Sequence, residues 1–191
     1  MRRIAILSAV LALAASPALA HPGHGETGFT AGLLHPVTGL DHLLTMLLVG
    51  VWAGLAGGKA RWLWPAAFTG AMLAGFGLGL TSAPLPGVEG VILASLAMAG
   101  LAVGFDLKPP AVLGAAAIGA FALAHGWAHA QETPSGAGLI GFAAGFGAAT
   151  MALHLAGLGL AATALRFGGA RLVRMGGFVA GGTGLALALA G

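Results

Sequence analysis

Six long apolar stretches, separated by short polar connections, occupy most of this 191-residue chain. About 20 consecutive apolar residues suffice for a helix to cross the hydrocarbon core of a bilayer. Helices suit that environment because they satisfy their own backbone hydrogen bonds, for which lipid offers no partner. The sequence therefore predicts an all-α membrane protein, a bundle of six transmembrane helices with spans near residues 32–56, 62–82, 87–105, 109–129, 136–160 and 171–190.

Composition excludes several other classes of protein. Hydrophobic residues make up 58% of the chain and charged residues only 7%, which is not the profile of a soluble domain. The net charge is positive, but eight Lys and Arg residues and no Tyr give no basic, aromatic surface for nucleic acid. Cysteine is absent, so any metal site must use nitrogen and oxygen ligands, with methionine sulfur as the remaining option.

Residues 1–20 have the organisation of a cleavable signal peptide. Arg2 and Arg3 precede an apolar run, and small residues lead up to Ala20. Cleavage after Ala20 would make His21 the mature N-terminus and leave residues 21–191 as a single transmembrane domain. The alternative is an uncleaved anchor helix, which would still deliver His21 to the outside.

The charged residues of the connections predict the orientation of the bundle. Short cytoplasmic loops are enriched in Lys and Arg. With both mature ends outside, every positive residue after the signal falls in a cytoplasmic connection, whereas Glu89 and Glu132 fall outside. The positive residues are Lys59, Arg61, Lys108, Arg166, Arg171 and Arg174.

Glycines recur four residues apart in five of the spans. Small residues at this spacing let helix backbones approach closely within a membrane. They indicate tight packing within one chain or between copies, so a homo-oligomer formed through glycine-rich helix faces is one expectation. The pairs are Gly50 and Gly54, Gly75 and Gly79, Gly100 and Gly104, Gly141 and Gly145, and Gly177 and Gly181.

The first span contains His35, Asp41 and His42. A central Asp costs about 2.5 to 3.5 kcal/mol on membrane-insertion scales, so its presence suggests a function. In a straight helix His35 and His42 share a face and Asp41 points about 100° away. Pro36 could begin the helix and Gly39 could distort it, which would allow all three to bind one metal ion.

Two further roles in this span stay open. Asp41 could instead act behind a metal ligand, by orienting it. Met46, one turn beyond His42, could add a soft sulfur ligand, although a Met at helical spacing more often packs in a core.

The fourth span ends with His125, His129 and Glu132 on one helix face. Two imidazoles four residues apart on a helix can chelate a metal ion. The alternative is a set of interfacial polar residues beside Trp127. We interpret the three as a metal site near the outer surface.

Three other histidines extend this pattern. His154 lies in the fifth span, deeper than the others, as a later station on an ion path would. His21 and His24 lie on the external tail, where they could capture an incoming ion loosely.

The run from His35 through Pro36, Gly39, Asp41, His42 and Met46 to Trp52 resembles the signature of the HupE/UreJ family of bacterial nickel/cobalt permeases. The segments around His125 to His129 and around His154 are similar to later elements of that family. The resemblance implies uptake of Ni²⁺ or Co²⁺ across the bacterial inner membrane, from periplasm to cytoplasm, with His35, Asp41 and His42 handling the ion.

Donor chemistry agrees with this function, because imidazole and carboxylate suit Ni²⁺, Co²⁺ and Zn²⁺. We therefore expect a permease that is not an enzyme and holds no tightly bound cofactor. Its partners would be a divalent metal ion and the lipid bilayer. The alternatives are an intramembrane, histidine-ligated zinc metallohydrolase and a membrane haem protein with paired axial histidines.

Overall fold

A computed structural model describes residues 28–81, 85–133 and 138–190. These residues form seven α-helices and no strand, which confirms the all-α fold class for the described part of the chain. The predicted signal peptide, His21 and His24 lie outside the described residues. The helices are α1 (Phe29–Thr38), α2 (Leu40–Ala56), α3 (Ala60–Gly79), α4 (Val88–Gly104), α5 (Ala111–Gln131), α6 (Leu139–Arg166) and α7 (Ala170–Ala190).

Glycine and proline fix several helix ends. Gly57 follows α2 with a φ of 75°, a conformation that glycine adopts without a steric penalty. Pro110 precedes α5 with an extended backbone, and proline cannot donate a hydrogen bond to continue an earlier helix. α3, α4, α5 and α7 begin and end within about three residues of the predicted spans, as expected for hydropathy-based boundaries. α6 continues to Arg166, six residues beyond the predicted end at residue 160.

The first predicted span, near residues 32–56, consists of two helices joined by a bend. α1 and α2 meet at 89° across Gly39, whose backbone is extended at φ −100° and ψ 115°. Pro36 lies inside α1 and does not begin it, contrary to the alternative considered above. Because proline lacks an N–H group and crowds the preceding turn, it weakens the end of α1. The bend lies at Gly39, the position that the sequence marked as permitting a distortion, and the shared face inferred for a straight helix does not exist.

Within the part of the chain that the structure describes, length and composition identify three helices that could each cross a membrane, Ala111–Gln131, Leu139–Arg166 and Ala170–Leu189. The bent pair α1 and α2 raises this number to four if it counts as one span, and α4 is a shorter apolar helix. Large apolar side chains cover the outside, as on Ile140, which is 89% exposed. Such a surface is typical of contact with lipid. The membrane class is supported, while six spans remain a prediction.

Glycine contacts hold particular helices together. A Cβ atom added to Gly50 would collide with the carbonyl oxygen of His154, and one added to Gly157 would collide with that of Leu47. We call a contact of this kind, with an added Cβ closer than 3.0 Å to another helix, a glycine seam. Among the described glycines, the seams join α1 and α2 to α6, α3 to α5, and α4 to α7. Each predicted glycine pair contributes to a seam inside the chain, and homo-oligomerisation remains a prediction.

Side-chain contacts bring three of the helix connections together at one end of the bundle. Trp52, near the end of α2, donates a hydrogen bond to the carbonyl oxygen of Leu107 at 2.7 Å. Arg174, near the start of α7, donates one to the carbonyl oxygen of Gly104 at 3.0 Å. The α2–α3, α4–α5 and α6–α7 connections therefore share one end, which we call the basic end. Its charged side chains include Lys59, Arg61, Lys108, Arg166, Arg171 and Arg174.

Candidate metal centre

Three side chains meet at the end of the bundle opposite the basic end. The Nε2 atom of His35 lies 2.9 Å from Oε2 of Glu132, and Nδ1 of His129 lies 3.8 Å from the same oxygen. One ligand atom from each residue falls within 4.8 Å of the others. We call His35, His129 and Glu132 the outer cluster. Two imidazoles and a carboxylate form a donor set that binds divalent transition metals.

Local structure positions the outer cluster. His35 occupies the last turn of α1, and Glu132 follows the last residue of α5. Thr133 donates a hydrogen bond to the carbonyl oxygen of His129 at 2.8 Å and so closes the end of α5. The adjacent rings of His129 and His35 hold the pKa of the Glu132 carboxyl well below its usual range, against the opposing effect of partial burial. Glu132 is therefore ionised at neutral pH and available as a carboxylate donor.

A cavity of about 270 Å³ opens beside the outer cluster. Asp41 and His42 line it together with the outer cluster. The break at Gly39 therefore brings the histidines and the aspartate of the first predicted span next to His129 and Glu132. Glu89, in the first turn of α4, also lines the cavity. Sequence reasoning assigned Glu89 only to an outer connection, and its position after an apolar loop gave no sign of this cavity.

Asp41 contacts its neighbour His42 directly. The Oδ1 atom of Asp41 accepts a hydrogen bond from the backbone N–H of His42 at 2.8 Å and lies 3.1 Å from Nδ1 of the same residue. This contact favours a proton on Nδ1 and leaves the Nε2 lone pair for a metal ion. The geometry matches the alternative in which a carboxylate orients a histidine ligand.

The ring of His42 connects the outer cluster to a more deeply buried histidine. Its centroid lies 4.8 Å from that of His129 and 4.9 Å from that of His125. The hydroxyl group of Ser95 donates to the carbonyl oxygen of Ile92 at 2.6 Å and accepts from Nε2 of His125 at 2.8 Å. The ring of His125 therefore keeps its Nδ1 lone pair. The rings of His125 and His129, one helical turn apart on α5, both lie against the ring of His42.

His154 is fully buried in α6 at the inner end of this series. The ring of Phe68 lies between it and His125, with centroid distances of 5.0 Å and 5.3 Å. Sequence reasoning named His154 but missed both Phe68 and Ser95. Their roles depend on neighbours in other helices, and no spacing within their own helices marks them.

Six buried imidazole nitrogens have no hydrogen-bond partner among the residues that the structure describes. Buried polar atoms in proteins are nearly always paired, so each exception requires an explanation. A bound metal ion would supply the missing partner for a nitrogen lone pair. The six are Nε2 of His42, Nδ1 of His125, and both ring nitrogens of His129 and His154.

Known proteins similar to this chain share nearly its whole length. The family model described as HupE / UreJ protein matches residues 9–187. Protein HupE of Rhizobium leguminosarum bv. viciae is 45% identical over 187 residues, which cover 97% of this chain and 94% of that relative. No solved structure matches the chain significantly. Because the family match includes the broken first span and every described histidine, the chain belongs to the HupE/UreJ family.

Proposed function

We propose that the protein is a permease that carries Ni²⁺ or Co²⁺ from the periplasm to the cytoplasm. The observation that supports this most strongly is a continuous series of imidazoles from an open cavity to the centre of the bundle. The rings of His35, His129, His42 and His125 follow one another at centroid distances of 4.8, 4.8 and 4.9 Å. Four helices contribute to the series, which ends at His154 beyond Phe68.

Serial sites suit transport better than a single closed site. Conduction requires binding that is strong enough for entry and weak enough for release, usually through several sites. The carboxylates of Asp41 and Glu132 and the imidazoles form a donor set for borderline divalent ions, whereas Mg²⁺ prefers oxygen ligands. Affinity alone would not favour nickel, because Cu²⁺ binds such ligands more tightly. Zn²⁺ is therefore a further ion to test.

The proposed arrangement is six spans in the bacterial inner membrane, after cleavage of residues 1–20, with both mature ends periplasmic. Support comes from the basic end, whose Lys and Arg side chains would face the cytoplasm by the positive-inside rule. The outer cluster, at the other end of the bundle, would then face the periplasm. In the proposed cycle His21 and His24 would capture ions for this cluster.

Reporter fusions test this orientation. We expect fusions at Lys59, Lys108 and Gly168 to report the cytoplasm, and fusions at Gly87 and Ser135 to report the periplasm. The expectation follows from the positive residues, which cluster at one end. A cytoplasmic signal from the Ser135 fusion would contradict the arrangement.

An intramembrane metallohydrolase is the second candidate, because two histidines and one glutamate are also the ligands of some zinc hydrolases. A hydrolase would hold one zinc ion permanently and activate water on it. A permease would exchange its ion and show no hydrolytic activity. Retained stoichiometric zinc with hydrolysis after purification would favour the hydrolase.

The direct test of transport is uptake of radiolabelled nickel, cobalt and zinc by cells that express the protein. We expect accumulation of nickel or cobalt above that of cells with an empty vector. The control is the Asp41→Asn/His42→Ala double variant at matched membrane abundance, since it lacks both the central imidazole and the carboxylate that orients it. Equal accumulation in the protein, variant and vector cells would refute the proposed function.

A further inference from the structure

Two thioethers and a hydroxyl group meet inside the bundle, between the level of His42 and that of His154. The Oγ1 atom of Thr150, in α6, lies 3.3 Å from Sδ of Met46, in α2, and 3.6 Å from Sδ of Met72, in α3. All three side chains are fully buried. We call Met46, Met72 and Thr150 the thioether layer.

The depth of the thioether layer follows from helix geometry. Met46 lies four residues beyond His42 in α2, and Thr150 lies four residues before His154 in α6. Each interval is one helical turn, about 6 Å along the axis. An ion that moves inward from His42 towards His154 would therefore meet the thioether layer on the way.

The hydroxyl group of Thr150 has an unusual orientation for a residue inside a helix. Ser and Thr in helices commonly donate to a backbone carbonyl three or four residues earlier. Thr150 instead directs its hydroxyl to sulfur, which brings its oxygen beside both thioethers. Five other described hydroxyls follow the common pattern, namely those of Thr38, Thr81, Ser95, Thr133 and Thr183, whereas those of Thr45 and Thr69 have no hydrogen-bond partner within the described residues.

Packing alone explains the methionines less completely than a metal site does. Methionine often fills irregular space in a core, and its sulfur favours the edges of aromatic rings. Here two sulfurs from different helices converge on one hydroxyl. One turn further along α6, both ring nitrogens of His154 have no hydrogen-bond partner within the described residues. Packing accounts for each of these side chains singly. A metal site accounts for the position of the two thioethers, the hydroxyl group and the imidazole one after another along the bundle.

We propose that the thioether layer and His154 form an inner site for soft or borderline metal cations, an inference that rests on the proposed transport function. The site takes the ion from His42 and His125 and passes it towards the basic end. Thioether sulfur suits soft ions and is a poor ligand for Mg²⁺. Because its donors are neutral, the layer holds a divalent ion weakly, as a station on a path requires.

The first test is nickel and cobalt uptake by the Met46→Leu/Met72→Leu variant. Leucine keeps the apolar volume and removes both sulfurs, so packing changes little. We expect the maximal rate to fall by about tenfold, which corresponds to about 1.4 kcal/mol on the barrier. Equilibrium Co²⁺ binding to the outer cluster of the purified variant should stay normal.

The matched control is Met98→Leu, which makes the same substitution at another methionine that packs against the core. Uptake by the double variant equal to that of Met98→Leu would overturn the inner site. Thr150→Val and Thr150→Ser supply a second comparison, because only serine keeps the hydroxyl group. We expect Thr150→Val to lower uptake and Thr150→Ser to retain it, and equal uptake by the two would also count against the site.

Silver binding tests the inner site independently of transport. Ag⁺ is a soft cation, and X-ray absorption at the silver edge detects sulfur ligands. We expect sulfur ligation in the purified wild-type protein and in Met98→Leu, and its loss in Met46→Leu/Met72→Leu. Persistence of the sulfur signal in the double variant would refute the site. Sulfur ligation in a protein that fails to accumulate nickel, cobalt or zinc would refute the transport function alone.

Discussion

Replacement of His42 by alanine is expected to lower the maximal rate of nickel or cobalt uptake at every ion concentration. The ring of His42 touches those of both His129 and His125, so it joins the outer cluster to the buried histidines. Because His42 is only 6% exposed, little water is available to replace the lost ligand around a dehydrated ion. Abundant external ion therefore would not restore the rate. Initial uptake rates over a range of concentrations, at matched membrane abundance, measure the effect.

Asp41→Asn should reproduce much of this defect, because it keeps the shape of the side chain and removes the charge that orients His42. Loss of such an orienting partner typically costs about 10- to 100-fold in metal affinity or activity. The matched control is Asp106→Asn, which removes a carboxylate near Lys108 at the basic end. Normal uptake by Asp41→Asn would show that the carboxylate is structural and would weaken the case for His42 as a ligand.

Glu132→Gln is expected to impair capture of the ion and to leave its passage nearly intact. Glu132 is 46% exposed at the mouth of the cavity, and its carboxylate joins His35 and His129. Without that charge, Co²⁺ should bind the purified protein about tenfold more weakly, a loss of about 1.4 kcal/mol. The half-saturating concentration for uptake should rise, and the maximal rate should change little. Binding titrations and uptake kinetics on the same variant provide the two measurements.

The pH dependence of Co²⁺ binding gives a further check on the outer cluster. A metal-binding imidazole must be neutral, so binding releases protons and weakens as the pH falls. Unchanged binding on acidification, or a normal half-saturating concentration in Glu132→Gln, would contradict a capture role for the outer cluster.

Local sequence patterns were sufficient to predict most helices but not the contacts between them. An apolar run such as that of α5 is a property of consecutive residues, so its limits could be predicted to within a few positions. Pro36 and Gly39 permitted a distortion, yet their spacing contains no information on an angle of 89°. The direction of the chain after a break depends on what the second helix packs against.

The partners of the site residues illustrate the same limit. His35 and Glu132 are separated by 97 residues, and Thr150 and Met46 by 104. Helical spacing within a segment cannot predict such pairs, because glycine contacts between helices decide which faces meet. The sequence indicated which residues are candidate metal ligands, and the packing determined their order along the bundle.

The glycine seams have a mechanical consequence. They connect α1, α2 and α6 into one body, α3 and α5 into a second, and α4 and α7 into a third. Sliding of one helix past another within a body would drive a glycine Cα atom into a neighbouring carbonyl group. Rocking of one body against another leaves the glycine seams intact. His42 belongs to the first body, His125 to the second and Ser95 to the third. In the proposed permease, a rocking motion would thus separate and rejoin the imidazoles themselves, so its gate and its binding sites would be the same residues.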